Sequence, residues 1–544
     1  MDTRSALIAQ DILPEIKERL EFLVQVGLGY LNLDRSVPSL SGGESQRIRL
    51  AAQLGSNLSG VLYILDEPTI GLHPRDNDRL LDTLQQLRVR GNSLVVVEHD
   101  EQTMKRADQI IDLGPGAGVH GGRVVAQGSY EQLIRNPESV TGQHMRLKSE
   151  DPPKHTRRTV PTPEKRGASK RKPRKTDSNS DFKWLTLEGV SINNLANLTI
   201  RIPMRRFVVV TGVSGSGKSS LVRGALLPLL RSLVGNPSPK AKLLSTSACA
   251  TGTELIDAVY EVDQTPIGRT PRSTPATYVG FFDEIRVLFS QTPMARIQGY
   301  GPGQFSFNSS LGRCPICEGS GNIKLEMNFL PPAYITCGAC GGSRFNPETL
   351  EVYYNGKNIA QILEMSVEQA LAFFSAFPKL MRPLSALVES GLGYLKLGQT
   401  SPTLSGGEAQ RVKLVTHLLA GLRKGQDASA STKSHFFILE EPTIGLHLAD
   451  VNRLIRMIQR LVDAGHTVLV IEHNLDLISA CDWIIDLGPE AGPDGGKIVA
   501  QGSPESVISQ QNSHTGRYLK EVLSNQQQAS KENSEGPSTS LLKL

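Results

Sequence analysis

One pattern occurs twice in this chain, and it constrains the fold more than any other feature. Residues 26–51 read VGLGYLNLDRSVPSLSGGESQRIRLA, and residues 390–415 read SGLGYLKLGQTSPTLSGGEAQRVKLV. After a polar insertion in the second copy, GLRKGQDASASTKSH, the likeness resumes. LYILDEPTIGLH (62–73) matches FFILEEPTIGLH (436–447), and VVVEHD (95–100) matches LVIEHN (469–474). IIDLGPGAG then matches IIDLGPEAG, and VVAQGS matches IVAQGS. Repetition on this scale means two copies of one supersecondary assembly. Apolar runs ending in acids or turns, spaced by helical segments, read as buried strands of an α/β fold. Residues 1–150 therefore copy 391–522, whereas 181–390 have no first counterpart within the chain.

The unmatched region opens with the apolar run RFVVV (206–210), followed at once by TGVSGSGKSSL (211–221). Gly212–Ser219 fits G-x-x-x-x-G-K-[ST] between a strand and a helix, the setting that gives this motif its meaning. Gly212, Gly215 and Gly217 let backbone N–H groups converge on phosphate oxygens, with Ser214 between them. Lys218 is placed for the β/γ-phosphates, Ser219 for Mg²⁺, and Ser220 continues the loop into a helix whose N-terminal dipole favours the anion. FFILEEPT ends an apolar strand in two acids. Glu440 is expected to organise Mg²⁺ and Glu441 to polarise the attacking water. Glu440 stands where aspartate is usual, and one extra methylene shifts the carboxylate by about an ångström. The first copy has Asp66 and Glu67 there, and His99 and His473 follow matching strands.

LSGGE, ahead of the acid-ended strand in each copy, resembles the signature of ABC-type ATPases, and the resemblance implies a composite site. In that family two domains close head to tail, so each nucleotide lies between the phosphate loop of one and the signature of the other. Ser41, Gly42, Gly43 and Glu44 would then serve nucleotide held by Lys218, with Gln264 as Q-loop residue and His473 on the γ-phosphate. The other site, Asp66, Glu67 and His99 with Ser405, Gly406, Gly407 and Glu408, has no phosphate loop among these residues. One nucleotide site of two is expected.

Cys314, Cys317, Cys337 and Cys340 form C-x₂-C-x₁₉-C-x₂-C, each pair in a Gly-rich knuckle, CPICEGSG or CGACGGS. That spacing points to structural zinc with four thiolates. Cys249 and Cys481 stand alone and are expected as buried apolar fillers. A zinc module between Q-loop and second signature resembles the UvrA family of the bacterial excinuclease. INNLANLTIRIP, VDQTPIGRTPRSTPATY, GYGPGQFSFN, GRCPICEGSG, LSGGEAQRVKL and EPTIGLH all resemble its motifs, over nearly the whole chain but only the C-terminal part of the family. The resemblance implies ATP, Mg²⁺ and Zn²⁺ as cofactors, and an ATPase coupled to DNA binding in nucleotide excision repair, without nuclease chemistry of its own. It further implies double-stranded DNA, preferably damaged, as ligand, and a homodimer. A UvrB-type partner would need a docking domain that is not among these motifs. DNA contacts are expected from Arg286, Arg296, Tyr300 and Arg313 around the zinc turns, with Phe305 nearby, as phosphate contacts that do not read sequence. A split ATP-binding subunit needing another chain, or a paralogue conferring drug self-resistance at DNA, would carry the same motifs. A membrane transporter ATPase would not carry the zinc insertion.

The expected fold class is α/β: two ABC-type nucleotide-binding domains, the first partial, with a zinc-bearing insertion in the second. The expected divisions are 1–150 (first domain, C-terminal part), 151–180 (basic disordered linker), 181–265 (phosphate-loop part), 266–390 (insertion), 391–522 (signature and acidic-strand part) and 523–544 (disordered tail). The net charge of +5 hides an asymmetry, because residues 154–175 alone hold ten Lys/Arg against one Glu. Such a Pro-rich basic run reads as a solvated linker or as a strap touching nucleic-acid phosphates. No apolar run is long enough to cross a bilayer. The first residues do not read as a secretory signal, and a cytoplasmic protein is expected.

Overall fold

The structure is a computed structural model. It describes residues 3–37, 40, 42–54, 59–116, 118–150, 157–161, 182–234, 249–268, 270, 272–325, 333–424 and 434–532. In chain order the first copy supplies β1 (Leu62–Asp66), β2 (Ser93–Val97), β3 (Ile110–Gly114) and β4 (Arg123–Gly128). Then come β5 (Trp184–Ile192), β6 (Leu195–Pro203), β7 (Phe207–Gly212), β8 (Cys249–Thr251) and β9 (Ile256–Val262). Two short hairpins follow, β10 (Asn322–Leu325) with β11 (Ala333–Thr336) and β12 (Tyr353–Tyr354) with β13 (Lys357–Asn358). The second copy closes with β14 (Ser434–Glu440), β15 (Thr467–Ile471), β16 (Trp483–Gly488) and β17 (Lys497–Gly502).

The chain divides into two compact units. One holds Met1–Pro115, Arg123–Glu261 and Ser429–Leu544, and the other Gly116–Gly122 and Val262–Ala428. In the first unit, β17-β16-β7-β15-β14-β9 form a six-stranded sheet. β7 lies parallel between β16 and β15, with Val210 opposite both Ile485 and Ile471. Its residues are buried throughout, as an unbroken Val/Phe run demands of a central parallel strand. Its core takes in Val208, Val210, Leu221, Phe436, Leu469, Ile485 and Trp483. A three-stranded antiparallel sheet, β6-β5-β8, packs with the phosphate-loop helix.

The first copy is built from the same pieces, but among the described residues it has no counterpart of β7 or β9. β1 pairs parallel with β2, β3 pairs antiparallel with β4, and no described strand joins β2 to β3. In the second copy β7 occupies that position. In the first copy Ile64 is 71% exposed and Leu113 67% exposed, whereas their counterparts Ile438 and Leu487 are at most 2% exposed. A smaller core of Phe22, Leu28, Leu50, Leu65, Leu80 and Leu84 holds the helices Thr3–Gln25, Gly42–Leu54 and Pro74–Val89 together.

In the second unit the zinc-type knuckles sit beside an aromatic core that includes Phe289, Phe305, Phe307, Phe345 and Phe374, each at most 1% exposed. The signature helix Gly406–Lys424 belongs to this unit and contacts the helices Pro275–Val279 and Pro378–Glu389.

Several expectations change. Cys249 is exposed on β8, at the rim of its small sheet, while Cys481 is buried. The helix His514–Glu532 runs past residue 523, where a structureless tail was expected; QQQASKE is rich in helix formers. Of the basic linker, residues 157–161 are held in place. The Arg158 N–H donates to Asp482 Oδ1 at 3.0 Å and its guanidinium to Asp482 Oδ2 at 3.2 Å, and Arg206 donates to the Thr159 carbonyl at 2.8 Å. Residues 151–156, 162–181 and 533–544 lie outside the described residues. No helix among the described residues is long and apolar enough to cross a membrane.

Candidate nucleotide site and metal centre

β7 ends in the phosphate loop. Gly212, Gly215 and Gly217 have φ of 135°, 77° and 104°, a region other residues enter only with strain. At Gly212 a Cβ would lie 2.0 Å from the Leu487 carbonyl oxygen, so the loop passes too close to β16 for any side chain. Lys218 folds over its own loop, donating to the carbonyls of Gly212 at 3.0 Å and Val213 at 2.9 Å. Burial pulls its amine down to about 8, with Glu441 opposing that shift. Ser219 Oγ donates to Glu440 Oε1 at 3.3 Å, and Arg223 pairs with Glu440 Oε2 at 2.9 Å. Ser220 accepts from Asn193 at 2.9 Å.

Glu441 follows β14 with φ 43°, and Glu67 follows β1 with the same φ. A non-glycine residue in this region, twice at the same motif position, is stored strain of the kind found at functional sites. Burial raises the Glu441 carboxyl to about 7, and the nearby Glu472 adds to this while Lys218 opposes it. His473 is buried, and both its ring nitrogens are without a protein partner. Burial drives its pKa down, so the ring is a neutral imidazole at physiological pH. A buried imidazole with two unused nitrogens beside a phosphate loop suits contact with a terminal phosphate.

The first copy packs directly onto this loop. Ser214 N–H donates to Asp76 Oδ2 at 3.1 Å and Ser214 Oγ to the Gly71 carbonyl at 3.4 Å. A Cβ on Gly71 would lie 2.9 Å from Glu441 Oε2, and one on Gly215 only 2.7 Å from the Tyr30 ring. Tyr30 in turn donates to Glu44 at 2.6 Å, where the signature helix begins. Gly42 and Gly43 form the first turn of that helix; Ser41 lies outside the described residues. Tyr30, Gly71 and Asp76 of one copy therefore face the phosphate loop of the other.

The partial site is arranged alike. Asp66 ends β1, and His99 Nε2 lies 3.5 Å from Glu67 Oε1, a contact that raises the imidazole pKa. A cavity of about 750 Å³ is lined by both copies, including Glu67, Gly71, His99, Glu441, Gly445 and His473. Gln264 and Ser405–Glu408 belong to the second unit. There Ser405 and Glu408 cap each other's backbone at 2.8 and 3.3 Å, and a Cβ on Gly406 would touch Gln264 at 3.3 Å. Gly407 continues that helix.

The four cysteine sulfurs lie within 4.8 Å of one another, with Cys317 and Cys340 at 3.6 Å. Tetrahedral ligation with Zn–S bonds of about 2.3 Å sets sulfurs about 3.8 Å apart, so the tetrad fits zinc with little movement. Cys314, Cys317 and Cys337 are buried, which suits a closed structural site. Of the residues expected to contact DNA, Arg296 is exposed, Tyr300 is half-buried, Arg286 pairs with Asp283, and Arg313 lies 4.0 Å from Glu318. Phe305 is part of the aromatic core, and Gln304 is buried with its amide on Thr349 at 2.8 Å. Neither offers a surface to a partner.

Some residues escaped the motif reading. Glu98 accepts from the N–H groups of Thr69 and His99, and Glu472 from those of Thr443 and His473, which ties each switch histidine to the opposite strand end. Tyr394 repeats the bond of Tyr30, reaching Glu408 at 2.6 Å. The signal was available, since each of these residues recurs in both copies.

A family model described as Novel STAND NTPase 1 matches residues 192–283, the stretch around the phosphate loop. UvrABC system protein A of Thermus thermophilus is 54% identical over 521 residues, which is 95% of this chain and 51% of the relative. The protein of that name from Haemophilus influenzae is 51% identical over 520 residues, 96% of this chain and 52% of the relative. The crystal structure of UvrA2 from Deinococcus radiodurans superposes with a TM-score of 0.84 at 46% identity, over 96% of this chain and 59% of that one. The chain thus spans about half the length of the curated relatives it matches.

Proposed function

Because this chain belongs to the UvrA family, we propose that it is an ATP-dependent DNA-binding protein for damage recognition in nucleotide excision repair. The observation that carries the proposal is the packing of the first copy onto the Lys218 loop, through Asp76, Gly71 and Tyr30. In the head-to-tail arrangement of the family, that packing makes a site for one nucleotide.

The residues divide the work. The loop amides and Lys218 hold the phosphates, and Ser219 with Glu440 would hold Mg²⁺, which supplies charge neutralisation at the transferring phosphoryl group. Glu441, held near neutrality, is suited to accept a proton from water, since a base works best with a pKa near the working pH. Neutral His473 is placed to donate one hydrogen bond to the terminal phosphate. Zinc on the cysteine tetrad would staple the insertion. Exposed Arg296 and half-buried Tyr300 are candidates for contact with duplex DNA, damaged by preference. The family resemblance supports a homodimer in the cytoplasm.

The test is binding of a fluorescent duplex, with and without a bulky lesion, over a salt series and with ATP present or absent. The expected result is tighter binding to the lesion duplex, a steep loss of affinity with salt, and a response to ATP that Lys218→Ala removes. Equal affinity for both duplexes under every nucleotide condition would refute the damage-recognition reading.

A further inference from the structure

A second short pattern recurs beyond the motifs above. Ser139, Thr141 and Gly142 are repeated as Ser513, Thr515 and Gly516. In each copy the serine and threonine hydroxyls donate to one aspartate, half-buried Asp112 in the first and buried Asp486 in the second. Ser139 and Thr141 bind Asp112 at 2.6 and 2.8 Å, and Ser513 and Thr515 bind Asp486 at 2.6 and 2.9 Å. Each threonine also meets a histidine of the opposite copy. Thr515 Oγ1 lies 3.1 Å from His73 Nε2, and Thr141 Oγ1 lies 3.0 Å from His447 Nε2.

The hydrogen-bond directions are determined. His73 Nδ1 accepts from the Arg75 N–H at 3.2 Å, so Nε2 carries the proton. Thr515 gives its own proton to Asp486 and therefore accepts from His73. The result is a one-way chain, His73 to Thr515 to Asp486, running from the first copy into the second. His447, Thr141 and Asp112 form its mirror image, with Ala449 N–H on His447 Nδ1.

We propose that Thr515, backed by Asp486, is a positioning residue for the nucleotide chemistry, acting across the two copies through His73. His73 closes the turn Thr69–His73. Gly71 in that turn faces the Glu441 carboxylate, and its carbonyl receives Ser214 of the phosphate loop. The His73 ring stands edge-on to His473, with ring centroids 5.8 Å apart. One pin therefore sets a turn that touches the base, the loop and the switch histidine. Asp486 stands opposite Thr211 of β7, so the pin is referenced to the strand that carries the loop. This inference rests on the reading of the Lys218 site as an ATPase.

Two measurements on the 544-residue chain test it. In steady-state ATP hydrolysis, Thr515→Val should lower kcat by about 10- to 100-fold with KM for ATP changed less than about threefold, the scale of a small misplacement. Thr515→Ser, which keeps the hydroxyl, should stay within about threefold of the parent. His73→Asn keeps a cap for Arg75 but is too short to reach Thr515, and it should reproduce Thr515→Val. In hydrogen exchange, amides 69–73 should exchange at least about tenfold faster in Thr515→Val and His73→Asn, but not in Thr515→Ser. A kcat within threefold of the parent in Thr515→Val, or unchanged exchange at 69–73, overturns the proposal. If the parent hydrolyses ATP no faster than Lys218→Ala, the ATPase reading fails, and the exchange data alone decide whether the pin holds the turn.

Discussion

Glu441→Gln should stop hydrolysis and at the same time make the nucleotide half of the chain more stable at alkaline pH. The folded chain holds this carboxyl at about 7, against 4.5 for an ordinary glutamate. A raised carboxyl pKa favours folding while the group is protonated. The benefit is full below the unfolded value and disappears as pH rises through 7. Ionising Glu441 at pH 8 therefore costs a ceiling of about 3 kcal/mol, from 1.36 kcal/mol per pKa unit. Solvent reaching the partly open carboxylate lowers that figure, and so does loss of the attraction to Lys218. A net gain of about 1–2 kcal/mol is expected for the glutamine at pH 8, shrinking to below about 1 kcal/mol at pH 5. Urea unfolding followed by tryptophan fluorescence reads this well. The chain has two tryptophans, and Trp184 packs against Trp483 in this core, with ring centroids 5.4 Å apart. A glutamine variant no more stable than the parent at pH 8, or a difference independent of pH, would refute the argument that burial strains this carboxylate.

Three further outcomes follow from other parts of the chain. Elemental analysis should find one zinc per chain, and Cys314→Ser with Cys337→Ser should remove it, because the tetrad then keeps two thiolates. Calorimetric titration should give one ATP per chain, and Lys218→Ala should abolish nearly all of the binding. Arg158→Ala should destabilise the nucleotide half by about 1–3 kcal/mol in urea, because it removes the cationic partner of Asp482, whose side chain is fully buried.

What could be read from the sequence was what repeats or sits at short spacing. The phosphate loop, the cysteine tetrad and the two copies are patterns of this kind, and their local geometry follows from a few neighbouring residues. The bond from Ser214 to Asp76, or from His73 to Thr515, joins residues far apart in the chain and leaves no local trace. Repetition in both copies was a usable hint for Glu98 and Glu472, whose backbone bonds hold the switch histidines. Phe305 shows the opposite failure. An aromatic beside arginines suggested a contact surface, but the knuckle fold turns it into the core. Cys249 failed because β8 is a rim strand, and a three-residue strand carries too little pattern to show which way it faces. The linker was read from composition, which is blind to the buried carboxylate of Asp482 that captures Arg158.

The gap between β2 and β3 has a colloidal consequence. Among the described residues each strand turns an unpaired edge toward a place where, in the other copy, β7 completes the sheet, and Val95, Val97, Ile111 and Leu113 stand exposed on these strands. Unpaired strand edges with bare aliphatic faces are adhesive, because any extended segment can continue the ladder. Concentrated solutions of these 544 residues will therefore be limited by two five-residue strands. A net charge of +5, ten of whose positive residues cluster in one segment, provides little repulsion at that surface. Shelf life, more than folding, is where these two open edges will first show themselves.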